Sequence, residues 1–450
     1  MNRSWQRSGA VAVLAWLVLG LSLQAQVPPG LKDGDTFVLL GDSITHQCLY
    51  TRYVALYYYL HYPGTKLRIF NAGVGGDRAT DGLARFNEEV LGMKPALVTV
   101  LLGMNDGGYR PFGEPQFGTY KTDMIKLIDR ATKETQAKLV LLTPTFYDQE
   151  ANKLKNRPGS PEYNDALVKY GDFLRATGQE RSLQVIDLNA PLVAASAALR
   201  KTDPTATLIS DAVHPGPGGQ LVMAHAILTG FGVPAVVSAV TVDAAAKTVS
   251  AENAAATDLA VVDGTVTFDL LAKSLPFPYA PDCRSVLAVL PFTDDLNREM
   301  LKVTGLAPGT YALTIDTIEV AQFAAEELAA GVNLSTNEKT PEYAQAMKVK
   351  GLNDALNSEF QKIRAFRLAE KRKGYKQADG TYARKLTKQQ KGDDGKVTWV
   401  EDPEGETQFA QNTAQLPAVV AAVARIEGEI YAANQPAKHR YALKKTQPQP

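Results

Sequence analysis

The sequence predicts an α/β fold: a three-layer α/β/α domain on a parallel sheet, followed by a small β-rich module and a helical C-terminal region. Three observations carry this. Between Asp35 and Pro234, short apolar runs alternate with helix-length stretches. The runs are apolar on both faces, as strands covered by helices on both sides must be. Glycine and polar residues gather at the carboxyl ends of the runs, where open α/β sheets place their ligand sites.

The elements follow in order. TFVLLGDS is a short apolar run ending in a turn, and Tyr50 to Tyr62 is a helix-length stretch rich in tyrosine. KLRIFNAGVGGD is a second run closing on glycines, and ALVTVLLGMND a third with β-branched enrichment. Tyr120 to Thr132 reads as a helix, AKLVLLTP as the fourth strand and LQVIDLNAP as the fifth. Asp165 to Thr177 and Leu221 to Thr229 read as helices. The cluster Tyr57-Tyr58-Tyr59 with Tyr62 reads as partly buried helix surface.

After Pro234 the pattern changes. Residues 235–318 alternate and are punctuated by Gly and Asp, and LKVTGLAPGTYALTID predicts a hairpin around a Pro-Gly turn. Residues 319–450 divide into a mostly helical stretch to about 372, a polar turn-rich segment, and a helix from Pro417. Residues 371–400 carry nine Lys and Arg against three Asp, which reads as a solvated loop or hairpin. The tail KKTQPQP predicts disorder.

The chain has 450 residues, 48 Lys plus Arg, 48 Asp plus Glu, and 45% hydrophobic residues. That is enough apolar material for a full core and excludes a disordered or collagen-like chain. With no net charge, no whole-protein field attracts nucleic acid or an anionic membrane. Arg3 and Arg7 precede an uncharged apolar run from about Gly9 to Leu23, and Ala25 offers a cleavage edge. This predicts a secretory signal peptide over 1–25, and a periplasmic or secreted product with no stable membrane insertion once it is removed. Cys48 and Cys283 suffice for one bridge at most and exclude a disulfide framework. Spacing leaves open whether they pair, and composition leaves the oligomeric state open.

Four blocks stand at the strand ends: Gly41-Asp42-Ser43, Asn71 to Asp77 (NAGVGGD), Gly103-Met104-Asn105-Asp106, and Asp211-Ala212-Val213-His214. Acyl transfer to water needs residues of these types. A serine hydroxyl attacks only when a neighbouring base takes its proton, and Ser43 sits at a strand-to-helix turn. The base must switch near neutrality, which selects His214. A carboxylate must hold the imidazole, and Asp211 lies three residues before it. The oxyanion of the tetrahedral intermediate needs aimed donors, which the backbone N–H groups of Ser43 and Gly76 and the Asn105 amide can supply. Such a site loses activity in acid, when the imidazole is protonated. Asp106 reads as a structural partner of its loop, Asp77 and Arg78 as a local salt bridge, and His46 as a candidate pocket wall. GVGGD lacks the lysine and hydroxyl of a P-loop. No metal and no cofactor is predicted, since the histidines show no zinc-binding spacing.

The four blocks, taken in order, resemble those of the SGNH, or GDSL-type, esterase superfamily over about residues 35–232. The four name residues of that superfamily fall on Ser43, Gly76, Asn105 and His214. Gly76 is chosen over Gly73 and Gly75 because NAGVGGD has the form N-x-x-x-x-G-D. Asp211 matches the DxxH block, and the first block reads GDSI rather than GDSL. The resemblance implies a flavodoxin-like catalytic domain over 26–234 and a carboxylic ester hydrolase. It also implies small acyl groups, often acetyl on polysaccharide, as the substrate chemistry. The partner expected is thus an acylated small molecule or polysaccharide. A lysophospholipase or thioesterase is the alternative, and a non-catalytic glycan-binding or scaffolding protein a second.

Overall fold

The computed structural model describes residues 27–151, 159–375, 380–391 and 397–446. The expected signal peptide, residues 1–25, lies outside them. The first sheet holds five parallel strands, β1 (Thr36–Gly41), β2 (Arg68–Gly73), β3 (Leu97–Leu101), β4 (Lys138–Leu142) and β5 (Gln184–Ile186), in the order β2-β1-β3-β4-β5. This is the flavodoxin-like order, so the fold class expected from the sequence holds.

The double-sided apolar runs explain the three layers. Phe37 and Leu39 of β1 point into one core, shared with α2 (Tyr50–His61) and the helix Pro217–Gly230. Val38 and Leu40 point into the other, shared with α5 (Glu114–Glu134) and the helix Tyr163–Arg181. All four are fully buried, and each such side chain contributes about 1.5–3 kcal/mol of apolar burial. Tyr57, Tyr58 and Tyr59 are also fully buried, which corrects their reading as helix surface. His61 stacks on Tyr57 with ring centroids 3.9 Å apart. The helix is sandwiched between the sheet and the C-terminal half of the chain, so no side of it faces water.

The second half packs around two more sheets. One has the order β13-β10-β6-β7, built from β6 (Val236–Asp243), β7 (Thr248–Glu252), β10 (Arg298–Thr304) and β13 (Val332–Asn333). The other has the order β12-β11-β16-β9-β8, built from β8 (Ala254–Val262), β9 (Thr265–Ala272), β11 (Thr310–Ile315), β12 (Ile318–Ala324) and β16 (Lys438–Lys445). Val240, Val242, Leu301 and Val303 of the first sheet share a core with Phe268, Leu313, Tyr441 and Leu443 of the second.

Three expectations are corrected here. The runs flanking the Pro-Gly turn are not a hairpin: β10 pairs with β6 and β13, while β11 pairs with β12 and β16, so the turn crosses between sheets. The β-rich part does not end at 318, because β12, β13 and β16 belong to it. The first residues of the expected disordered tail, Lys444 and Lys445, lie in β16, between β9 and β11; residues 447–450 lie outside the described residues. Alternation of buried Tyr441 and Leu443 with outward Arg440 and Lys444 drives this pairing. Only two apolar positions among lysines carry the signal.

The helix Pro341–Arg372 and the helix Pro403–Ala433 pack against each other and return to the first domain. Between them, β14 (Thr387–Lys391) and β15 (Val397–Glu401) form an antiparallel hairpin. Helix Pro341–Arg372 lies on α2 and β2. Its Phe360 meets Phe70 edge-on at 5.8 Å, and Asn353 donates to the Arg52 carbonyl at 3.0 Å. The edge strand β2 is thereby covered rather than left open to pairing. Cys48 and Cys283 are free, buried thiols. No helix of the described residues is long and apolar enough to cross a membrane.

Candidate active site

Three strand-end loops meet a turn that joins the helices Asn189–Arg200 and Pro217–Gly230, which corrects the placing of the fourth block at a strand end. After β1, Asp42 caps the short helix α1 (Ser43–His46), its carboxylate accepting the Ile44 N–H at 2.9 Å. Ser43 is thereby the first helical residue and is half-buried. Before the helix Pro217–Gly230, the turn Asp211–His214 closes on itself: Asp211 Oδ1 accepts the N–H groups of Val213 (3.0 Å) and His214 (2.7 Å). Asp211 Oδ2 lies 2.7 Å from His214 Nδ1, and His214 Nε2 lies 2.8 Å from Ser43 Oγ. These partners assign the tautomer. Nδ1–H donates to the carboxylate, leaving Nε2 to accept from the serine hydroxyl. Burial raises the Asp211 carboxyl, but the bonds from the His214 ring and the two N–H groups outweigh it, and its pKa falls below the ordinary value. It stays ionised wherever the imidazole is neutral.

Ala212, inside this turn, has φ of +71°. Its N–H donates to Ile209 O, and its carbonyl accepts the Asp148 N–H, each at 2.9 Å. A non-glycine residue held in the left-handed region is strained, and here the strain sits between Asp211 and His214.

The glycine block after β2 approaches the serine from the other side. Gly73 packs directly on α1: a Cβ there would lie 2.3 Å from the His46 nitrogen. Only glycine permits that approach. Gly76 has φ of +73°, which turns the chain into Asp77. Asn105, after β3, joins this loop. Its Nδ2 donates to the Asp77 carbonyl at 2.9 Å and its Oδ1 accepts the Tyr109 hydroxyl at 2.8 Å. The amide is thus fixed in one orientation, with one N–H committed to Asp77 and the second N–H not used by these two bonds.

Several supporting residues escape the sequence reading. Gln220 is fully buried and ties the two halves of the site together. It accepts the Tyr50 N–H (3.0 Å) and donates to Gln47 (2.8 Å) and to the Pro215 carbonyl (3.3 Å). Asn71 donates to the Thr45 carbonyl (2.7 Å) and accepts the Gly73 N–H (2.9 Å). A lone amide in an apolar helix run or strand is the signal that could have found both, since buried polar groups need partners. Arg85 is buried, donating to Asp77 at 2.6 Å and to the Gly41 carbonyl at 2.9 Å. Asp77 therefore pairs with Arg85 and Lys371 rather than Arg78, correcting the local pairing expected. His46 is half-buried, and burial, then Arg364 and Arg85, push its pKa down to about 4, so it stands neutral beside the site.

Two more carboxyls lie beneath the loops. Asp106 accepts the Ala79 N–H at 2.9 Å, the structural role expected of it. Burial pushes both Asp42 and Asp106 up to about 7. An acid raised in the folded state gives stability that is fully present below its unfolded value and lost as pH rises through the folded one. Asp42→Asn retains an acceptor for the Ile44 N–H and removes the charge. Its melting temperature is expected to exceed that of the wild type at pH 8, with the gap narrowing steadily as pH falls from about 7 toward the ordinary carboxylate value. Parallel curves for the two proteins across that range would refute this.

A hydroxyl, an imidazole and a carboxylate joined in one chain at a sheet edge are the equipment of an ester hydrolase that works through serine. A family model and a curated relative support that class. The model of the GDSL-like lipase/acylhydrolase family matches residues 39–222. An acetylxylan esterase of Geobacillus stearothermophilus is 26% identical over 224 residues, which cover 45% of this chain and 96% of that protein. A crystal structure of that esterase superposes at a TM-score of 0.36 with 24% identity, covering 44% of this chain and 95% of the other. A structure described as a gut microbial diltiazem-metabolizing enzyme superposes at 0.79 with 25% identity, over 94% of this chain and all of the other. The protein is a carboxylic ester hydrolase. Its residues 39–222 are similar to the GDSL-like lipase/acylhydrolase family.

Proposed function

We propose that the protein is an exported serine esterase that removes short acyl groups, acetyl foremost, from carbohydrate. The observation that carries the chemistry is the unbroken chain Asp211–His214–Ser43, with links of 2.7 and 2.8 Å. Ser43 Oγ attacks the ester carbonyl as its proton passes to His214 Nε2. The tetrahedral oxyanion takes hydrogen bonds from the Ser43 and Gly76 N–H groups and from the unused Asn105 N–H. Collapse expels the alcohol, which leaves with the proton from Nε2. Water, deprotonated by the same nitrogen, then attacks the acyl-serine and releases the acid, returning the proton to Ser43. Asp211 stays ionised throughout and stabilises the imidazolium.

The acetyl preference rests on the likeness to an acetylxylan esterase, and export rests on the leader-like residues 1–25. The full-length likeness to a diltiazem-metabolizing enzyme favours a second reading, a compact drug-like substrate. The test is turnover by residues 26–450 of aryl acetate, butyrate and octanoate, acetylated xylo-oligosaccharides and diltiazem. Preference for acetate with release of acetate from the oligosaccharide supports the first reading. Preference for octanoate overturns it in favour of lipid or thioester substrates, and turnover of diltiazem without the oligosaccharide selects the second.

Asn105→Ala removes one oxyanion donor. It is expected to lower kcat by about 10²–10³-fold with little change in KM. A KM effect alone would assign Asn105 to substrate binding.

A further inference from the structure

We propose that the C-terminal helix Pro341–Arg372 completes the active site, and that Lys371 is a positioning residue for the oxyanion loop. The inference builds on the serine-esterase reading above and extends the site to a residue far along the chain.

The helix lies against the glycine block. A Cβ on Gly75 would lie 3.5 Å from Leu368, and one on Gly76 would lie 3.9 Å from Lys371 Nζ. Lys371 Nζ donates to Asp77 Oδ1 at 2.8 Å and lies 3.3 Å from Asp81, whose carboxylate also accepts the Arg78 N–H. Asp77 follows Gly76 directly and is fully buried. It is held at four points: Lys371 and Arg85 on the carboxylate, the Val74 carbonyl accepting its N–H at 3.2 Å, and Asn105 on its own carbonyl. Where Asp77 sits therefore fixes both the Gly76 peptide and the Asn105 amide. Arg85 carries the same network to the Gly41 carbonyl, two residues before Ser43. Further up the helix, Arg364 pairs with Glu89, and Arg367 pairs with Glu88 and Glu89, anchoring α4 (Phe86–Glu89). The helix thus locks the segment from Gly75 to Glu89 by charge, and Lys371 is its contact nearest the chemistry.

Oxyanion donors act only if they are aimed before the reaction begins. Lysine also supplies a charge that this position needs. The charged or titratable groups facing Asp77 are Arg85 and Lys371 as partners, Asp42 as a repelling carboxyl, and the Tyr375 hydroxyl after the helix. Burial raises the Asp77 carboxyl, and Arg85 and Lys371 oppose it. Without the lysine, a single guanidinium opposes burial, and Asp77 takes up a proton at higher pH. The loop then loosens as pH falls, in a range where the wild-type loop is held.

The test compares kcat, KM and pH profiles on aryl acetate for residues 26–450 as wild type, Lys371→Met, Lys371→Gln and Lys371→Arg, with melting temperatures. Arg367→Met serves as a control that breaks ion pairs on the same helix without touching Asp77. Lys371→Met is expected to lower kcat at pH 7 by about 10-fold or more with KM within about threefold, and to move the acidic limb to higher pH. Lys371→Gln should show the same shift in milder form. Lys371→Arg should keep kcat within about threefold and the wild-type profile. Wild-type kcat with an unshifted limb in Lys371→Met overturns the proposal. So does an equal kcat loss in Arg367→Met at a matched drop in melting temperature, and so does failure of both uncharged variants to fold. Ser43→Ala, run in parallel, separates the two levels. If it retains activity, the serine-esterase reading fails; if it is inactive while Lys371→Met is fully active, only the positioning role fails.

Discussion

Ser43→Ala is expected to lower turnover of an aryl acetate by about 10⁴–10⁶-fold, with KM changed little. The expectation rests on the geometry: the Ser43 Oγ lies 2.8 Å from His214 Nε2, and the imidazole is held by Asp211 at 2.7 Å. The substitution deletes one oxygen from a half-buried position and leaves the Asp42 cap on Ile44 intact, so fold and melting temperature should be unaffected. The residual rate is that of water attacking an ester held by the oxyanion donors alone. A variant that keeps more than about a tenth of the activity would remove Ser43 from the reaction and return the binding-protein reading to the front.

Asp211→Asn is expected to cost about 10⁴-fold in kcat while leaving the fold unchanged. The asparagine oxygen can still accept the N–H groups of Val213 and His214, which Asp211 Oδ1 accepts in the wild type, so the turn keeps its shape. The amide nitrogen then faces His214 Nδ1 and donates to it. That forces the proton onto Nε2, which can no longer accept from Ser43. The effect is one of tautomer, and it predicts a pH signature. In the wild type Asp211 is held below the ordinary carboxylate value, so its own protonation is not what sets the acidic limb. With asparagine, the stabilisation of the imidazolium is gone, and the limb moves to lower pH as the rate falls. A loss of melting temperature in place of a loss of kcat would mean that Asp211 serves the turn and not the chemistry.

The two predictions concern residues that the chain displays openly. Ser43 and Asn105 were legible because each follows a run of apolar residues, Asp211 and His214 because they stand three residues apart, and all four because the chemistry of acyl transfer asks for these side-chain types. The parallel sheet was legible for a related reason. A strand buried on both faces has few polar positions to show, and FVLL, VTVLL and LVLL show only Thr99. What surrounds the site was much less visible. Gln220, Asn71 and Arg85 act through contacts with carbonyls and side chains that belong to other segments; a lone amide in an apolar run flags the first two, but nothing local says what any of them touches.

The boundary in the C-terminal half failed for a physical reason that β16 makes plain. A strand is identified by alternation over several residues, and Lys438–Lys445 offers only Tyr441 and Leu443 as inward positions. Its place is supplied by β9 and β11, which are separated from it by more than a hundred residues of sequence. Sequence alone determined the class of fold and the order of the first five strands' residues along the chain, and it singled out the candidate catalytic side chains, because local hydrophobic period and local chemistry suffice for these. Tertiary structure alone decided which strands pair, that β2 is covered by a C-terminal helix, and that Lys371 meets Asp77. Those outcomes depend on the burial of ion pairs and backbone groups between distant segments, and long-range charge and packing leave no period in the chain.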